Sequence, residues 1–465
     1  MKNNYSLFLI SILLIINLNY SSGENIKNND NKYIVMDFYS KFSYENNKNN
    51  YFLNNFTHNF IYSKIKLGNK EQILEMRLDL NNYITYIINK DLVNRNIFVP
   101  FNEANSKTFF NTTIFFDSYT NDIYKSFLSK DTLTINNNKI NNFNFAYADA
   151  INYYEQIPPG SIGFNYYKDY VIQKENLNFM EQLRDNDIIS GFSLTFIFIS
   201  NFKGQLYLGP DIDKIFPDEY SFYDKKIIKI TGGVSYIYNR WGLTFNNIKV
   251  GNKILNYSKT ANFNLKENYI LATDEYSQEI YSNYFSQLII KEQCIKEEYS
   301  YSHNFYTIKC KKELNLTNFP VLDFTLNDVN MEPFHLILDY NNLFETFGEY
   351  QYFKIILVSR FDPSISLMVE WSFGKVFFKE FLMTFNKDAK TITFYTKEKN
   401  RNEIMKIKNN NKNLALLILI LILIILVFII FYLLRKCIKQ QIEIKNRKRK
   451  NILVSEMAYY PEDKD

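Results

Sequence analysis

The chain has 465 residues, of which 46% are hydrophobic and 17% are aromatic. That composition can fill the cores of two or three domains, so it excludes a disordered protein. The formal net charge is only +5, and much of the basic excess lies close to the carboxyl end. Charge therefore gives no reason to expect nucleic acid as a partner.

The first 23 residues have the pattern of a cleavable secretory signal peptide. Lys2 precedes an apolar core at Leu7–Ile16, and small residues follow at positions 21–23. The apolar core is too short to cross a bilayer. Residues 24–54 are polar and rich in Asn, and we expect them to form a loop ahead of the folded body.

A second hydrophobic segment, residues 414–434, is an uninterrupted apolar run of about the length that a helix needs to cross a bilayer. Arg435, Lys436 and Lys439 follow it, which predicts a cytosolic tail at 435–465. We therefore expect a single-pass type I protein of the secretory pathway or cell surface, with a polar stalk at 398–413. The basic tail either binds an anionic leaflet or is simply solvated.

Cysteine usage fits an oxidising compartment. Cys294 and Cys310 lie on the predicted lumenal or extracellular side at a spacing that suits one local disulfide, with two free buried thiols as the alternative. Cys437 lies just inside the predicted membrane, where it is either palmitoylated or inert. Candidate glycosylation sequons occur at Asn55, Asn111, Asn256 and Asn315.

The body reads mainly as β-strands, because short apolar or alternating runs are separated by Asn, Asp and Gly. Helical patterns are limited to 178–188 and 276–290. The predicted strands are Phe60–Leu67, Ile73–Leu80, Tyr83–Ile88, Thr112–Phe116, Thr132–Ile135, Phe143–Tyr147, Phe192–Ser200, Gly204–Leu208, Trp241–Val250, Val321–Leu326, His335–Leu338, Phe353–Ser359, Ile365–Trp371, Phe377–Phe385 and Thr391–Tyr395.

A repeat divides the body into two halves. The sequence IKLGNK at 65–70 returns as IKVGNK at 248–253, and in each copy Gly-Asn predicts a two-residue hairpin. Roughly a dozen residues after each Gly comes a polar residue in an apolar setting, Asp79 in the first copy and Asn264 in the second. We interpret this as the duplication of a β lobe, with the lobes at 55–225 and 226–397.

Several ordered motifs resemble those of the pepsin-like aspartic protease family. The resemblance covers residues 51–397. It rests on Asp79-Leu80-Asn81, Tyr119, Gly160–Phe164, Gly204–Gly209, Phe319–Leu326 and Trp371–Phe381. It implies a two-lobed fold of duplicated β-barrels around a central cleft, covered by a flap that carries Tyr119.

The chemistry of that family needs two carboxylates that share one proton, one to activate water and the other to donate to the scissile carbonyl. Asp79 stands at the first acid position. Asn264 stands at the second, and an amide does not titrate. Lys266 would place an ammonium near Asp79 and hold it ionised. Asp274 is the alternative second acid, and Lys375 occupies a position where the family has Asp.

The residues that depart from the family's motifs lie at the catalytic positions, whereas the strand motifs are retained. We therefore expect a catalytically inactive, aspartic-protease-like protein that binds a peptide or protein. An active membrane-anchored endopeptidase and a structural surface protein without a ligand are the alternatives. The three histidines are scattered along the chain, so we expect no metal site and no cofactor.

Overall fold

The structure is a computed structural model, and strands dominate the part that it describes. The described residues are 31–40, 60–116, 123–151, 157–165, 176–200, 203–220, 223–231, 240–256, 259–299, 302–358, 370–398, 429–430 and 432–449. Within these ranges the protein is mainly β and contains a barrel-like sheet, so the mainly β prediction is confirmed.

The described strands of the first half have 3 to 14 residues. They are β1 Ile34–Ser40, β2 Ile61–Leu67, β3 Gln72–Asp79, β4 Tyr86–Ile88, β5 Phe110–Phe116, β6 Ile123–Ile135, β7 Asn138–Ile151, β8 Gly160–Gly163, β9 Ser193–Ser200, β10 Lys203–Gly209 and β11 Tyr223–Lys229. Some, such as β4 and β8, are buried along their whole length.

The described residues of the second half contain a further fifteen strands. They are β12 Gly242–Thr244, β13 Asn247–Val250, β14 Lys253–Leu255, β15 Thr260–Phe263, β16 Ile270–Leu271, β17 Cys294–Tyr299, β18 Ser302–Lys311, β19 Leu322–Asn327, β20 Pro333–Leu338, β21 Phe344–Phe347, β22 Tyr350–Phe353, β23 Ile355–Val358, β24 Glu370–Phe373, β25 Leu382–Asn386 and β26 Thr391–Glu398.

Helical segments are few and short in the described residues up to 398. They are the 3-10 turn Glu103–Asn105, α1 Phe179–Asp185, α2 Ile212–Ile215, α3 Pro217–Tyr220, α4 Asp274–Ile280, the π-helical turn Tyr281–Phe285, α5 Ser286–Ile290, α6 Tyr340–Leu343 and α7 Lys375–Glu380. The helical patterns predicted at 178–188 and 276–290 are confirmed by α1 and by the run from α4 to α5.

Six strands of the first half close into a ring. β2 pairs with β3, β3 with β8, β8 with β4, β4 with β7, β7 with β6, and β6 returns to β2. Closure leaves no free edge within the ring. Asp79, the last residue of β3, lies at the point where that strand leaves the ring.

The pairing around β3 recurs in the second half. β3 runs parallel to β8, β8 is antiparallel to β4, and β4 is parallel to β7. In the same way β15 runs parallel to β24, β24 is antiparallel to β16, and β16 is parallel to β23. Both halves of the chain therefore build the same four-strand arrangement around the residue that ends β3 or follows β15.

The two halves also share a sheet and a core. β25 from the second half pairs with β9 from the first, and β26 and β11 continue that sheet. Trp241 is fully buried, donates its indole N–H to the carbonyl of Phe164 at 3.1 Å, and packs edge-on against Phe385. The main cluster of buried apolar side chains accordingly includes residues from both halves.

The structure differs from the expectations in several places, among them the strand predicted at 241–250, which is divided into β12 and β13. Residues 34–40 form β1 rather than a loop, because Ile34, Met36 and Phe38 alternate into the core. The segment predicted as one strand at 377–385 begins as α7 and continues as β25, since Phe377 and Phe381 are spaced for one face of a helix. The first repeated hairpin has a four-residue turn, as Leu67 pairs with Gln72, whereas the second has the predicted two.

Residues from Glu398 onward form a separate unit. Its described residues include a helix at 432–449. No helix within the described residues is both long enough and apolar enough to cross a membrane. The predicted signal peptide at 1–23 and most of the predicted stalk and span lie outside the described residues.

Candidate functional site

Asp79 is fixed by the end of β3. It lies opposite Gly163 in the parallel pairing with β8, and its carbonyl accepts the N–H of Phe164 at 2.8 Å. The side chain is buried, and its Oδ1 accepts the backbone N–H of Asn81 at 2.9 Å. This short turn directs the carboxylate away from the strand and holds it against the following loop.

Asn264 has the same local geometry in the second half. It follows β15, and its N–H donates to the carbonyl of Phe373 in β24 at 3.0 Å. Its Oδ1 accepts the backbone N–H of Lys266 at 3.1 Å, as Asp79 does from Asn81. The two side chains are therefore held in matching turns.

Two glycines, one beside each loop, add to the correspondence between the two loops. A Cβ on Gly163 would lie 2.6 Å from the carbonyl oxygen of Asn82, and one on Gly374 would lie 2.5 Å from that of Glu267. Asn82 follows Asp79 by three residues, and Glu267 follows Asn264 by three. The loop Asp79-Leu80-Asn81-Asn82 thus corresponds to Asn264-Leu265-Lys266-Glu267.

Asp79 and Lys266 join the two loops. Lys266 Nζ lies 3.1 Å from Asp79 Oδ2, and Arg77 Nη2 lies 3.5 Å from the same oxygen. The Asp79 side chain is 1% exposed, whereas that of Lys266 is 26% exposed. Arg77 also donates to the Tyr86 hydroxyl at 2.8 Å, which holds its guanidinium in place. The acid is therefore buried under two cations, and the lysine is the more accessible of them.

The second loop contains a carboxylate of its own, which we had not predicted. Glu267 Oε1 accepts Asn264 Nδ2 at 2.8 Å, and Oε2 accepts the Ser372 hydroxyl at 2.8 Å. Burial raises the pKa of this carboxyl to about 7, although its two hydrogen bonds and the positive charges of Lys266 and Arg240 oppose that rise.

Relative to the first loop, the acid and the amide have exchanged positions. The first loop carries Asp79 and, three residues later, Asn82; the second carries Asn264 and, three residues later, Glu267. The sequence signal that reveals Glu267 is an acid three residues after the amide at the expected acid position.

Lys375 is a further titratable residue beside this loop. It begins α7, its N–H donates to the carbonyl of Glu267 at 2.8 Å, and its side chain is buried. Within the described residues its Nζ has no hydrogen-bond partner. Burial lowers the pKa of this amine well below its ordinary value, and the charge of Lys379 lowers it further.

The remaining predicted residues belong to other segments of the chain or lie outside the described ranges. Cys294 and Cys310 pair across β17 and β18 and form the predicted disulfide, with an S–S distance of 1.99 Å. Asp274, the alternative second acid, begins α4. Tyr119 and Asn55 lie outside the described residues. Exposed sequon residues are Asn111, Asn256 and Asn315.

Asn315 has the local geometry expected of an accessible sequon. Its Oδ1 accepts both the N–H and the hydroxyl of Thr317, at 3.0 and 2.7 Å. Glycosylation at these asparagines stays a prediction. Among the described residues, no group of three or more His, Cys, Asp and Glu side chains could hold a metal ion.

Comparison of the sequence with protein-family models and with curated proteins finds no match. The chemistry of the site therefore has to be argued from its own geometry. That geometry comprises two equivalent loops, a buried aspartate under two cations, and a second acid held by an amide and a hydroxyl.

Proposed function

We propose that this protein is a single-pass type I membrane protein whose lumenal or extracellular body has a pepsin-like, two-lobed fold, lacks peptidase activity and binds a peptide or protein in its cleft. The observation that carries the proposal is the 3.1 Å contact of Lys266 Nζ with Asp79 Oδ2. An amide, Asn264, occupies the position that matches Asp79 in the second loop.

The chemistry of proteolysis argues against activity in this arrangement. An acid pair activates water with its ionised member and protonates the substrate with its neutral member. Here the Asp79 oxygen faces the Lys266 ammonium, which competes with water for the same lone pairs. Asn264 cannot lose a proton, and its amide is engaged with Glu267.

The proposed fold is supported by the closed ring of six strands and by the repeated pairing around Asp79 and Asn264. A loop pair of this kind places two short turns, one from each half, against each other. The Lys266–Asp79 ion pair is consistent with that placement, because its partners come from the two halves. A cleft built this way would retain a peptide-binding shape after its chemistry is lost.

The decisive experiment is a proteolysis assay on the full-length protein purified in detergent. Denatured casein is incubated with wild type, Asp79→Ala and the exposed-site control Asp91→Ala between pH 3 and pH 7. We expect no cleavage above the background that all three preparations share. Cleavage that pepstatin inhibits and that only Asp79→Ala abolishes would overturn the proposal.

A second candidate function is favoured by Glu267 specifically. An active endopeptidase could use Asp79 as one acid and Glu267 as the other, since the second loop has kept a carboxyl group. In that case casein cleavage would be present in wild type and lost in both Asp79→Ala and Glu267→Gln. Asn264→Asp would then add little activity, because the second acid would already be supplied.

The membrane topology is tested separately in cells that express the full chain. A type I orientation predicts that the sequons are modified and that glycosidase treatment increases the mobility of the protein on a gel. Asn315→Gln should remove one such step. A chain without glycan whose carboxyl end is protected in sealed microsomes would contradict this orientation.

A further inference from the structure

We propose that the Asp79–Lys266 site binds a carboxylate of its ligand, an acidic side chain or a carboxyl terminus, and that Glu267 makes this binding tighter at acid pH than at neutral pH. The inference rests on the proposed binding function and names the ligand chemistry that this site would select. It concerns charge and hydrogen bonding in the two loops, and it needs no catalytic step.

The exposure of the charged groups in the site indicates which charge the ligand should carry. Of the three groups in the ion cluster, Asp79 and Arg77 are 1% and 3% exposed, while Lys266 is 26% exposed. An incoming ligand therefore meets an ammonium group before it can reach the aspartate. A ligand carboxylate forms a strong, charge-assisted hydrogen bond with an ammonium, whereas a ligand cation would be repelled.

The charges around the site reinforce this selection. Arg77 and Lys266 contact Asp79, while Lys266 and Arg240 act electrostatically on Glu267. When Glu267 is neutral, three cations face one anion. When it is ionised, they face two, so the positive excess that attracts a carboxylate is reduced by one charge.

Hydrogen bonds connect Glu267 to the ion pair. Asn264 donates to Glu267 through Nδ2 and accepts the backbone N–H of Lys266 through Oδ1. The Lys266 side chain then reaches Asp79. A proton gained at Glu267 Oε2 can be accepted by the Ser372 hydroxyl, which is able to rotate, while the hydrogen bond from the Asn264 amide to Oε1 loses its charge assistance. The contact through which Asn264 holds the Lys266 backbone is thereby linked to the charge of Glu267.

Glu267 is thus a positioning residue, and Lys266 is the group that would touch the ligand. The two roles make different predictions. Loss of Lys266 should remove carboxylate selection at every pH. Replacing Glu267 by a residue that does not titrate should leave the preference for a carboxylate in place but remove its dependence on pH.

The test measures binding of two capped pentapeptides, acetyl-Ala-Phe-Glu-Phe-Ala-amide and its counterpart with Gln in the centre, to full-length protein in detergent at pH 5.5 and pH 8. We expect the Glu peptide to bind more tightly than the Gln peptide, and its preference to be about three- to tenfold greater at pH 5.5. The Gln peptide reports any general effect of pH on the protein.

Three variants complete the test. Lys266→Met should abolish the preference for the Glu peptide, and Glu267→Gln should make that preference independent of pH. Glu267→Asp should restore part of the pH dependence, and the exposed-site control Glu313→Gln should behave as wild type. Equal binding of the two peptides by wild type, or the same pH dependence in Glu267→Gln as in wild type, would overturn the inference.

Failure of the two proposals can be told apart. Cleavage of casein by wild type would refute the proposed lack of peptidase activity. The preference for the Glu peptide and its dependence on pH could then still be measured in the variant Asp79→Asn. If wild type neither cleaves casein nor prefers the Glu peptide to the Gln peptide, only the proposed binding of a carboxylate is refuted.

Discussion

The Lys266 ammonium contacts the Asp79 carboxylate at 3.1 Å, although the two residues belong to loops from opposite halves of the chain. The contact gives the buried Asp79 charge a second cationic partner beside Arg77, which lies at 3.5 Å. It also connects two loops that have matching turns. Removing or retuning this pair is therefore the most direct way to examine the site.

Lys266→Met should destabilise the protein. Asp79 would remain buried with Arg77 at 3.5 Å as its cationic partner, so part of its compensation would be lost. Because Lys266 is partly exposed and Arg77 stays, we expect the free energy of unfolding to fall by about 1–2 kcal/mol, below the cost of breaking a fully buried pair. Urea denaturation measures this, with exposed Lys312→Met as the control. A loss no larger than that of the control would show that the contact contributes nothing to stability.

Glu267→Gln should flatten the dependence of stability on pH. The folded-state pKa of about 7 lies above the ordinary 4.5, so the folded protein holds a proton that the unfolded chain releases between these values. Stability from this group is therefore greatest below pH 4.5, falls as pH rises, and is constant above about pH 7. Wild type should lose about 2–4 kcal/mol over this range through Glu267.

Denaturant titrations at pH 5, 6, 7 and 8 would measure that slope in wild type, Glu267→Gln and Glu313→Gln. The slope should persist in the Glu313 variant and shrink in the Glu267 variant. Parallel curves for all three proteins would mean that the Glu267 carboxyl titrates at its ordinary pH.

Gly374→Ala should disrupt the second loop. A Cβ at this position would lie 2.1 Å from the carbonyl oxygen of Tyr269, a backbone atom that cannot move aside cheaply. We expect a loss of about 3 kcal/mol or more in the free energy of unfolding. Gly348→Ala is the matched control, since nothing lies within 4 Å of its added Cβ and only its φ of 61° opposes alanine. A smaller loss at Gly374 than at Gly348 would contradict the close packing of Gly374 against the backbone of Glu267 and Tyr269.

Lys375→Met should stabilise the protein. The Lys375 amine is buried and lacks a hydrogen-bond partner within the described residues, and methionine has a similar length without the polar group. We expect a gain of about 1–3 kcal/mol at pH 7. The lowered pKa means that the unfolded chain binds the extra proton, so wild-type stability should rise with pH toward 10.5, and the variant should lack that rise. Exposed Lys259→Met is the control, and a destabilised Lys375→Met would indicate an undetected partner for the amine.

The sequence by itself determined the features that depend on neighbouring residues. Alternating apolar runs fixed most of the strands, the Gly-Asn turn fixed the second hairpin, and the spacing of Cys294 and Cys310 anticipated the disulfide. It also placed Asn264 opposite Asp79 in the repeat, because that match rests on local motifs that both halves preserve.

Only the tertiary structure decided the features that depend on distant partners. The alternation within β1 is local, but its pairing with β2 and β10 is not, and β25 likewise joins β9 of the first half. Glu267 became visible as an acid of the site only through its contacts with Asn264 and Ser372. The Lys266–Asp79 pair belongs to both kinds: the repeat predicts an ammonium near Asp79, but only the approach of the two loops brings the two groups to 3.1 Å and leaves the aspartate 1% exposed beside a lysine that is 26% exposed.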